Sequence, residues 1–159
     1  MDETVIADAL RASPFTADLG RSDRRRLASL ATLRTVAVGD ALLREGEETP
    51  WLGIVVDGRI ALRLLVPGRG PITVLTVEEG DLFGWSAIVP PYRATTSAIA
   101  VAPGKVVLFD AAALREALAS DDDLAAAIHP RLLQIVVRRL GATRAQLLDL
   151  FATEGARAW

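Results

Sequence analysis

The chain has 159 residues, of which 51% are hydrophobic, and this is enough for one domain with a core of its own. Its formal net charge of −2 argues against a general nucleic-acid binder, because such proteins carry a basic surplus. The sequence has no cysteine, which excludes disulfides and thiolate metal sites. It shows neither an apolar signal-peptide core nor a run of ~18 uncharged apolar residues, so we expect a cytoplasmic protein without a membrane span.

Residues 1–35 are predicted to form the N-terminal helices. Apolar residues recur at helical spacing at two places, namely Val5, Ile6, Ala9 and Leu10, and then Leu27, Leu30, Ala31 and Leu33. Ser13-Pro14 indicates a new helix start, and Ser22 is predicted to cap the helix that follows Gly20. The run Arg24–Arg26 could form a phosphate patch, but a solvated helix face agrees better with the acidic total.

Short β-rich runs and tight turns alternate over residues 36–110. We count about eight strands at a spacing of roughly 8–12 residues, which is typical of a sandwich, a jelly roll or a barrel. Asp57-Gly58 lies between two β-rich runs and predicts a hairpin. Pro103-Gly104 predicts a further turn between the last two strands.

One segment of this region, residues 80–96 (GDLFGWSAIVPPYRATT), has the parts of an anion site, and we call it the cassette. Gly84 lets a ligand approach the backbone closely. The N–H groups of Trp85, Ser86 and Ala87 are expected to be unpaired at the start of a short helical turn. Arg93 adds a permanently charged donor fork that suits phosphate.

Simpler interpretations exist for these side chains. Arg93 could form a salt bridge with a nearby acid or be merely exposed; the candidate acids are Glu78, Glu79 and Asp81. A serine at a helix start, such as Ser86, is commonly only a cap. Tyr92 is interpreted as a rim residue and not as a catalyst.

Residues 111–159 are predicted to be helical again. Asp110 is expected to cap the first helix, and residues 120–123 the second. Pro130 is expected to interrupt and kink that helix. Beyond it a seam follows a 4-3-4-3 spacing and comprises Val136, Leu140, Thr143, Leu147 and Leu150. Packing against the β-roll could also produce this spacing, but the broader apolar surface favours a helix that packs both on its own domain and on a second copy. We therefore predict a homodimer through residues 130–151, and a close helix–helix approach would account for Gly141 within the seam.

The glycine-containing turns carry a family resemblance. Residues 38–40, 44–47, 56–59 and 80–84 form four stations in fixed order, followed by Arg93. This pattern resembles the cyclic-nucleotide-binding domain family of the catabolite-activator type, from about residue 14 to about residue 151. The resemblance implies a double-stranded β-helix or jelly-roll β-roll, with N-terminal helices and a long C-terminal dimerisation helix in one domain.

The resemblance also implies which residues contact the ligand. The family's cassette reads Phe-Gly-Glu, a short apolar turn, and then Arg-Ser/Thr-Ala. Three positions match it: Phe83, Gly84 and Arg93. Trp85 replaces the ribose-binding Glu, and Ala94 replaces the hydroxyl residue, which Thr95 could partly substitute. Because an indole donates but does not accept hydrogen bonds, Trp85 could stack on a base, line the pocket or fill it.

A second part of the resemblance lies in the long helix. Arg138-Arg139-Leu140-x-x-Thr143 is similar to the family segment in which a threonine reaches the adenine, so Thr143 and Arg144 are candidate contacts. A polar residue within a helix seam is the alternative for both.

Taken together, the resemblance implies a non-enzymatic sensory domain for a small phosphorylated ligand such as a cyclic nucleotide. His129 is the only histidine, so neither a histidine-rich metal site nor a catalytic triad is expected. The winged helix-turn-helix of full-length relatives would find no room before Trp159, so direct DNA binding is not expected. Two alternatives remain, a ligand-free dimerisation or docking module and a truncated transcription regulator.

Overall fold

An antiparallel sheet spans residues 31–110 and is flanked by two helices on each side in the chain. The computed structural model describes the backbone of residues 1–157 and the side chains of residues 1–152. The helices are α1 (Asp2–Ala12), α2 (Arg21–Ser29), α3 (Ala111–Ser120) and α4 (Asp122–Arg157). The strands are β1 (Ala31–Val36), β2 (Ala41–Leu43), β3 (Trp51–Val66), β4 (Gly70–Val77), β5 (Leu82–Phe83) and β6 (Ser97–Asp110).

The two longest strands, β3 and β6, form the centre of the sheet. The main path runs β1-β6-β3-β4, while β2 pairs with β6 and β5 pairs with β3. The sheet bends so that one face encloses an inner cluster that includes Val55, Leu62, Phe83 and Val106. The other face packs on the helices through an outer cluster that includes Leu10 and Leu124. This arrangement is the β-roll with flanking helices and a long C-terminal helix that the sequence predicted.

The strand count differs from the prediction because two predicted turns lie inside continuous strands. Neither Asp57-Gly58 nor Pro103-Gly104 ends a strand; the β3–β6 register instead shifts at residues 55–60. Gly58 has φ +95°, and a Cβ there would lie 2.9 Å from the Pro103 carbonyl oxygen. A Cβ on Gly104 would lie 2.0 Å from the Asp57 carbonyl oxygen. The glycines therefore let both strands bend together while they stay paired.

The N-terminal prediction was wrong in three details. Ala31 and Leu33 lie in β1 and pair with Phe109 and Val107, because the sheet edge satisfies the backbone there. The N-cap of α2 is Gly20 and not Ser22, and Gly20 provides no side-chain hydrogen bond. The segment after Ser13 forms turns and not a helix. The buried Ser13 hydroxyl donates to the Gly80 carbonyl oxygen at 2.7 Å.

The caps predicted for the two C-terminal helices are present, whereas the interruption predicted at Pro130 is not. Asp110 accepts a hydrogen bond from the Ala113 N–H, and Asp121 accepts one from Leu124. Helix α4 continues through Pro130. Burial of Ile128 and Leu132, on either side of the proline, offsets the lost backbone hydrogen bond. Residues 158–159, the end of the predicted helical region, lie outside the described residues.

Three of the five residues of the predicted seam of α4 are exposed apolar side chains, namely Leu140, Leu147 and Leu150. Val136 is partly buried and packs against the outer cluster. The exposed apolar residues of this helix are Leu133, Val137, Leu140, Leu147, Leu148, Leu150 and Phe151. A Cβ on Gly141 would meet nothing within 4 Å, so no close approach within the chain accounts for this glycine.

Among the described residues, no helix combines the length and apolarity needed to cross a membrane.

The bend between β3 and β6 can be tested with Gly104→Ala. The added methyl group clashes with backbone that cannot move aside, so we expect a loss of about 3 kcal/mol or more in the free energy of unfolding. Urea denaturation measures this loss. Gly20→Ala is the control, because Gly20, like Gly104, has no positive φ, and a Cβ there would meet nothing within 4 Å. Equal losses in the two variants would show that the close approach at Gly104 is unimportant.

Candidate ligand site

The cassette begins on β5 and returns to the sheet at β6. Phe83 pairs with Gly53 of β3, and a turn of 3-10 helix follows at Trp85–Ala87. Gly84 between them has φ +76°, and a Cβ there would lie 2.5 Å from the Trp51 carbonyl oxygen. Both the left-handed conformation and the close approach require glycine at this position.

The predicted set of unpaired amides is smaller than expected. The Ala87 N–H donates to the Gly84 carbonyl oxygen at 3.0 Å, so Ala87 is not a free donor. A three-residue 3-10 turn already uses its third N–H, whereas the first turn of an α-helix would leave it unpaired. Within residues 1–157, no backbone carbonyl accepts from the N–H groups of Trp85 and Ser86. Two amides therefore remain for an anion.

The Ser86 side chain fixes the turn to the segment before β3. Its hydroxyl lies 2.7 Å from that of Thr49, and both side chains are buried. The Thr49 N–H in turn donates to the Tyr92 carbonyl oxygen at 2.8 Å. Only one of the two hydroxyl protons can lie between the oxygens, so the pair keeps one proton for a further acceptor.

Arg93 is exposed, and it forms no ion pair within the described part of the chain. Its Nη1 donates to the Gly46 carbonyl oxygen at 3.0 Å, which occupies one of its five N–H donors. The acids proposed as alternative partners do not reach it; Asp81, for example, accepts from the Glu78 N–H at 2.9 Å. Among the described residues Arg93 therefore has no carboxylate oxygen within 4 Å, although its backbone forms an isolated β-bridge with Glu48.

The other cassette positions divide between the inside and the outside of the roll. Phe83 and Ala94 are buried in the inner cluster. Trp85 is half-buried and packs against the outer cluster, beside the helices. Thr95 is exposed. The indole is therefore not part of the apolar packing inside the roll, in contrast to a side chain that fills a pocket there.

Arg115 of α3 contacts the cassette, and the sequence analysis did not identify it. Its Nη1 donates to the Ala87 carbonyl oxygen at 2.8 Å, and its guanidinium carbon lies 4.4 Å from the centre of the Tyr92 ring. Tyr92 has φ +63°, an uncommon conformation for a residue with a side chain. The sequence feature that could have identified Arg115 is its position beside the apolar face of α3, next to the buried Leu114.

Arg139 of α4 also holds the cassette. It donates from Nη2 to the Leu82 carbonyl oxygen, directly before Phe83-Gly84. Burial lowers the pKa of the Arg139 guanidinium below its usual value, and the charge of Asp81 partly opposes this shift. The guanidinium nevertheless stays protonated, because the pKa of arginine is far above neutral pH.

The structure does not bring the predicted helix residues onto the cassette. The Thr143 hydroxyl donates to the Arg139 carbonyl oxygen of its own helix at 2.8 Å, and Arg144 is exposed. Gln146 reaches the Thr73 carbonyl oxygen of β4 at 3.5 Å. A ligand role for Thr143 and Arg144 stays a prediction.

Among the side chains that the structure describes, no group of three or more His, Asp or Glu residues could hold a metal ion.

Comparison with known proteins agrees with the observed fold. Residues 33–121 match the family model for the cyclic nucleotide-binding domain, and they include the sheet from Leu33 onward, the cassette and α3. The chain belongs to this family.

The chain is similar to proteins of several bacteria. It is 28% identical over 116 residues to a CRP-like cAMP-activated global transcriptional regulator of Mycobacterium tuberculosis, which covers 73% of this chain and 50% of that protein. It thus spans about half the length of this curated relative.

Solved structures show the same fold. A cyclic nucleotide-binding protein from Geobacter metallireducens is 26% identical with a TM-score of 0.75, covering 84% of this chain and 96% of that one. A cyclic nucleotide-binding domain from Methylobacillus flagellatus is 21% identical with a TM-score of 0.78, covering 92% and 83%.

The contact between α3 and the cassette can be tested with Arg115→Ala. We expect a loss of about 2 kcal/mol in unfolding free energy, because a charged hydrogen bond and a cation–π contact both disappear. A double-mutant cycle with Tyr92→Leu, followed by urea denaturation, isolates the ring contact. The adjacent exposed position of α3 supplies the control Glu116→Ala. Strict additivity of the Arg115 and Tyr92 changes would contradict a direct interaction.

Proposed function

We propose that this domain senses a small phosphorylated ligand, a cyclic nucleotide or a close variant, and that it has no catalytic role. The ligand phosphate would contact the Trp85 and Ser86 N–H groups and Arg93. Support comes from the charge of Arg93, which has no carboxylate partner among the described residues. The family match supports the class of ligand, because the matched family is defined by cyclic-nucleotide binding.

The signalling part of the proposal rests on the hydrogen bond from Arg139 to the Leu82 carbonyl oxygen. It joins the long helix to the residue that precedes Phe83-Gly84, so the helix and the cassette cannot move independently without breaking it. We infer that a ligand signals by favouring one position of α4 relative to the cassette. Arg115 supplies a second connection, from α3 to the far side of the turn.

We propose further that α4 pairs with a second copy of this chain, through residues 130–151. Five of its exposed apolar residues follow a spacing close to that of a coiled coil: Leu133, Val137, Leu140, Leu147 and Phe151. An apolar strip of this length is unusual on the surface of a monomer. A change in the position of α4 would then alter the geometry of the dimer.

The alternative of a ligand-free docking module rests on Trp85, which lacks the carboxylate of the resembled pattern. Its ring packs with the helices and not with the inner cluster, which weakens the idea that it closes the site. The relative from Mycobacterium tuberculosis is named a transcriptional regulator, and regulation of transcription is proposed here only as the broader process in which this domain acts.

Isothermal titration with cyclic AMP and cyclic GMP tests the sensing proposal. We expect binding that Arg93→Ala weakens by about tenfold to a hundredfold, because one charged hydrogen bond is lost. Arg59→Ala, at another exposed arginine on β3, is the control and should leave the affinity unchanged. Absence of heat in the natural chain, together with binding by Trp85→Glu, would overturn the proposal and favour the docking module.

Sedimentation velocity tests the dimer. Leu140→Glu/Leu147→Glu places two charges in the proposed interface, so we expect a dimer for the natural chain and a monomer for the variant. Leu65→Glu, at a leucine of β3 with 66% exposure, is the matched control and should remain dimeric. A natural chain that sediments as a monomer with and without ligand would contradict this part of the proposal.

A further inference from the structure

A hollow of about 200 Å³ lies between α1 and α2, and none of its lining residues belongs to the cassette. Its apolar floor is formed by Ala7, Leu10 and Ala28. Its remaining lining consists of four arginines: Arg11, Arg21, Arg24 and Arg25. We call this feature the arginine hollow. Arg11 lies on α1, and the other three lie on one face of α2, since Arg24 and Arg25 follow Arg21 at spacings of three and four residues.

The charges of the arginine hollow are poorly compensated. Arg11 pairs with Asp8. No ion pair involves Arg21, Arg24 or Arg25 among the described residues. The four guanidinium groups that share this hollow repel each other. This excess of positive charge is confined to the hollow, since the chain as a whole has a net charge of −2.

Arg24 is held in place without an acid. Its Nη1 donates to the Ala17 carbonyl oxygen at 3.0 Å and to the Leu19 carbonyl oxygen at 2.7 Å, and the side chain is partly buried. These bonds order the guanidinium before any partner arrives, so a ligand need not bear the entropic cost of ordering it. Its Nη2 and Nε groups make no hydrogen bond to the described residues.

The position of these cations on α2 is also unfavourable. Arg21, Arg24 and Arg25 lie in the first turn and a half of the helix, at its positive end, where acidic side chains are preferred. Asp23 offsets part of this charge, and the N-cap Gly20 contributes no side-chain hydrogen bond. A local arrangement that costs stability in the free chain would be relieved by a bound anion.

We propose that the arginine hollow binds a small anion with two linked phosphate groups, such as the diphosphate moiety of a nucleotide. Guanidinium forks match phosphate oxygens in pairs. The lined face of α2, from Arg21 to Ala28, is about 10 Å long, which suits a diphosphate better than an extended acidic peptide. This site is separate from the cassette and does not depend on the function proposed above.

Titration calorimetry with inorganic pyrophosphate at low ionic strength tests the proposal. In a chain that carries Arg93→Ala, so that the proposed cassette site does not compete for the anion, we expect one site. Its affinity should fall by about tenfold or more when Arg21→Ala/Arg25→Ala is added, because two charged donors are lost. Raising the salt concentration should also weaken binding. Arg59→Ala on β3, added to the same chain, is the control and should leave the affinity unchanged. Arg21→Lys/Arg25→Lys keeps the charge without the donor fork and should bind with intermediate affinity.

Three results would overturn the proposal. The first is a lack of pyrophosphate binding by the natural chain. The second is binding that Arg93→Ala abolishes and the double variant retains, which would place the anion in the cassette. The third is binding of a hexaglutamate peptide, dependent on Arg21 and Arg25, without binding of pyrophosphate. Thermal unfolding of each variant shows that the fold is intact, and the lysine variant decides the matter if the alanine variant unfolds early.

Discussion

The close approach of β3 and β6 at their common bend is the constraint on which the rest of the structure depends. Gly104 lies against the Asp57 carbonyl group, and Gly58 lies against Pro103, so both strands turn together without losing their pairing. This bend divides the apolar residues into an inner and an outer cluster. Just before this bend, Gly53 and Ile54 of β3 pair with β5, and this pairing positions Phe83 of the cassette.

Three side chains from different parts of the chain then hold the cassette. Thr49 contacts Ser86 from the segment before β3, Arg115 contacts Ala87 from α3, and Arg139 contacts Leu82 from α4. Two of the three are arginines bonded to carbonyl oxygens, which fix position while they keep their charge. Arg93, by contrast, forms no ion pair with the residues that the structure describes.

Local sequence signals predicted much of this structure and failed where a distant partner decides. Asp110 as a cap and the glycine of the cassette follow from neighbours in sequence. The role of Asp57-Gly58 could not be predicted in this way, because the dipeptide supplies the positive φ that either a hairpin turn or a strand bend requires. The close approach of Gly104 on β6 is what makes it a bend. Arg115 and Arg139 were missed for the same reason, since a lone arginine in a helix does not reveal which carbonyl it will reach. The family comparison confirmed the fold class, while the ligand contacts of the cassette stay predictions.

The carbonyl groups of Gly80 and Leu82 lie two residues apart and accept hydrogen bonds from opposite ends of the polypeptide. Ser13, directly after α1, donates to the first, and Arg139 of α4 donates to the second. The start of the cassette is thus hydrogen-bonded to both helical regions of the domain. A shift of α1 or of α4 would have to stretch or break a bond to the same three residues, Gly80 to Leu82.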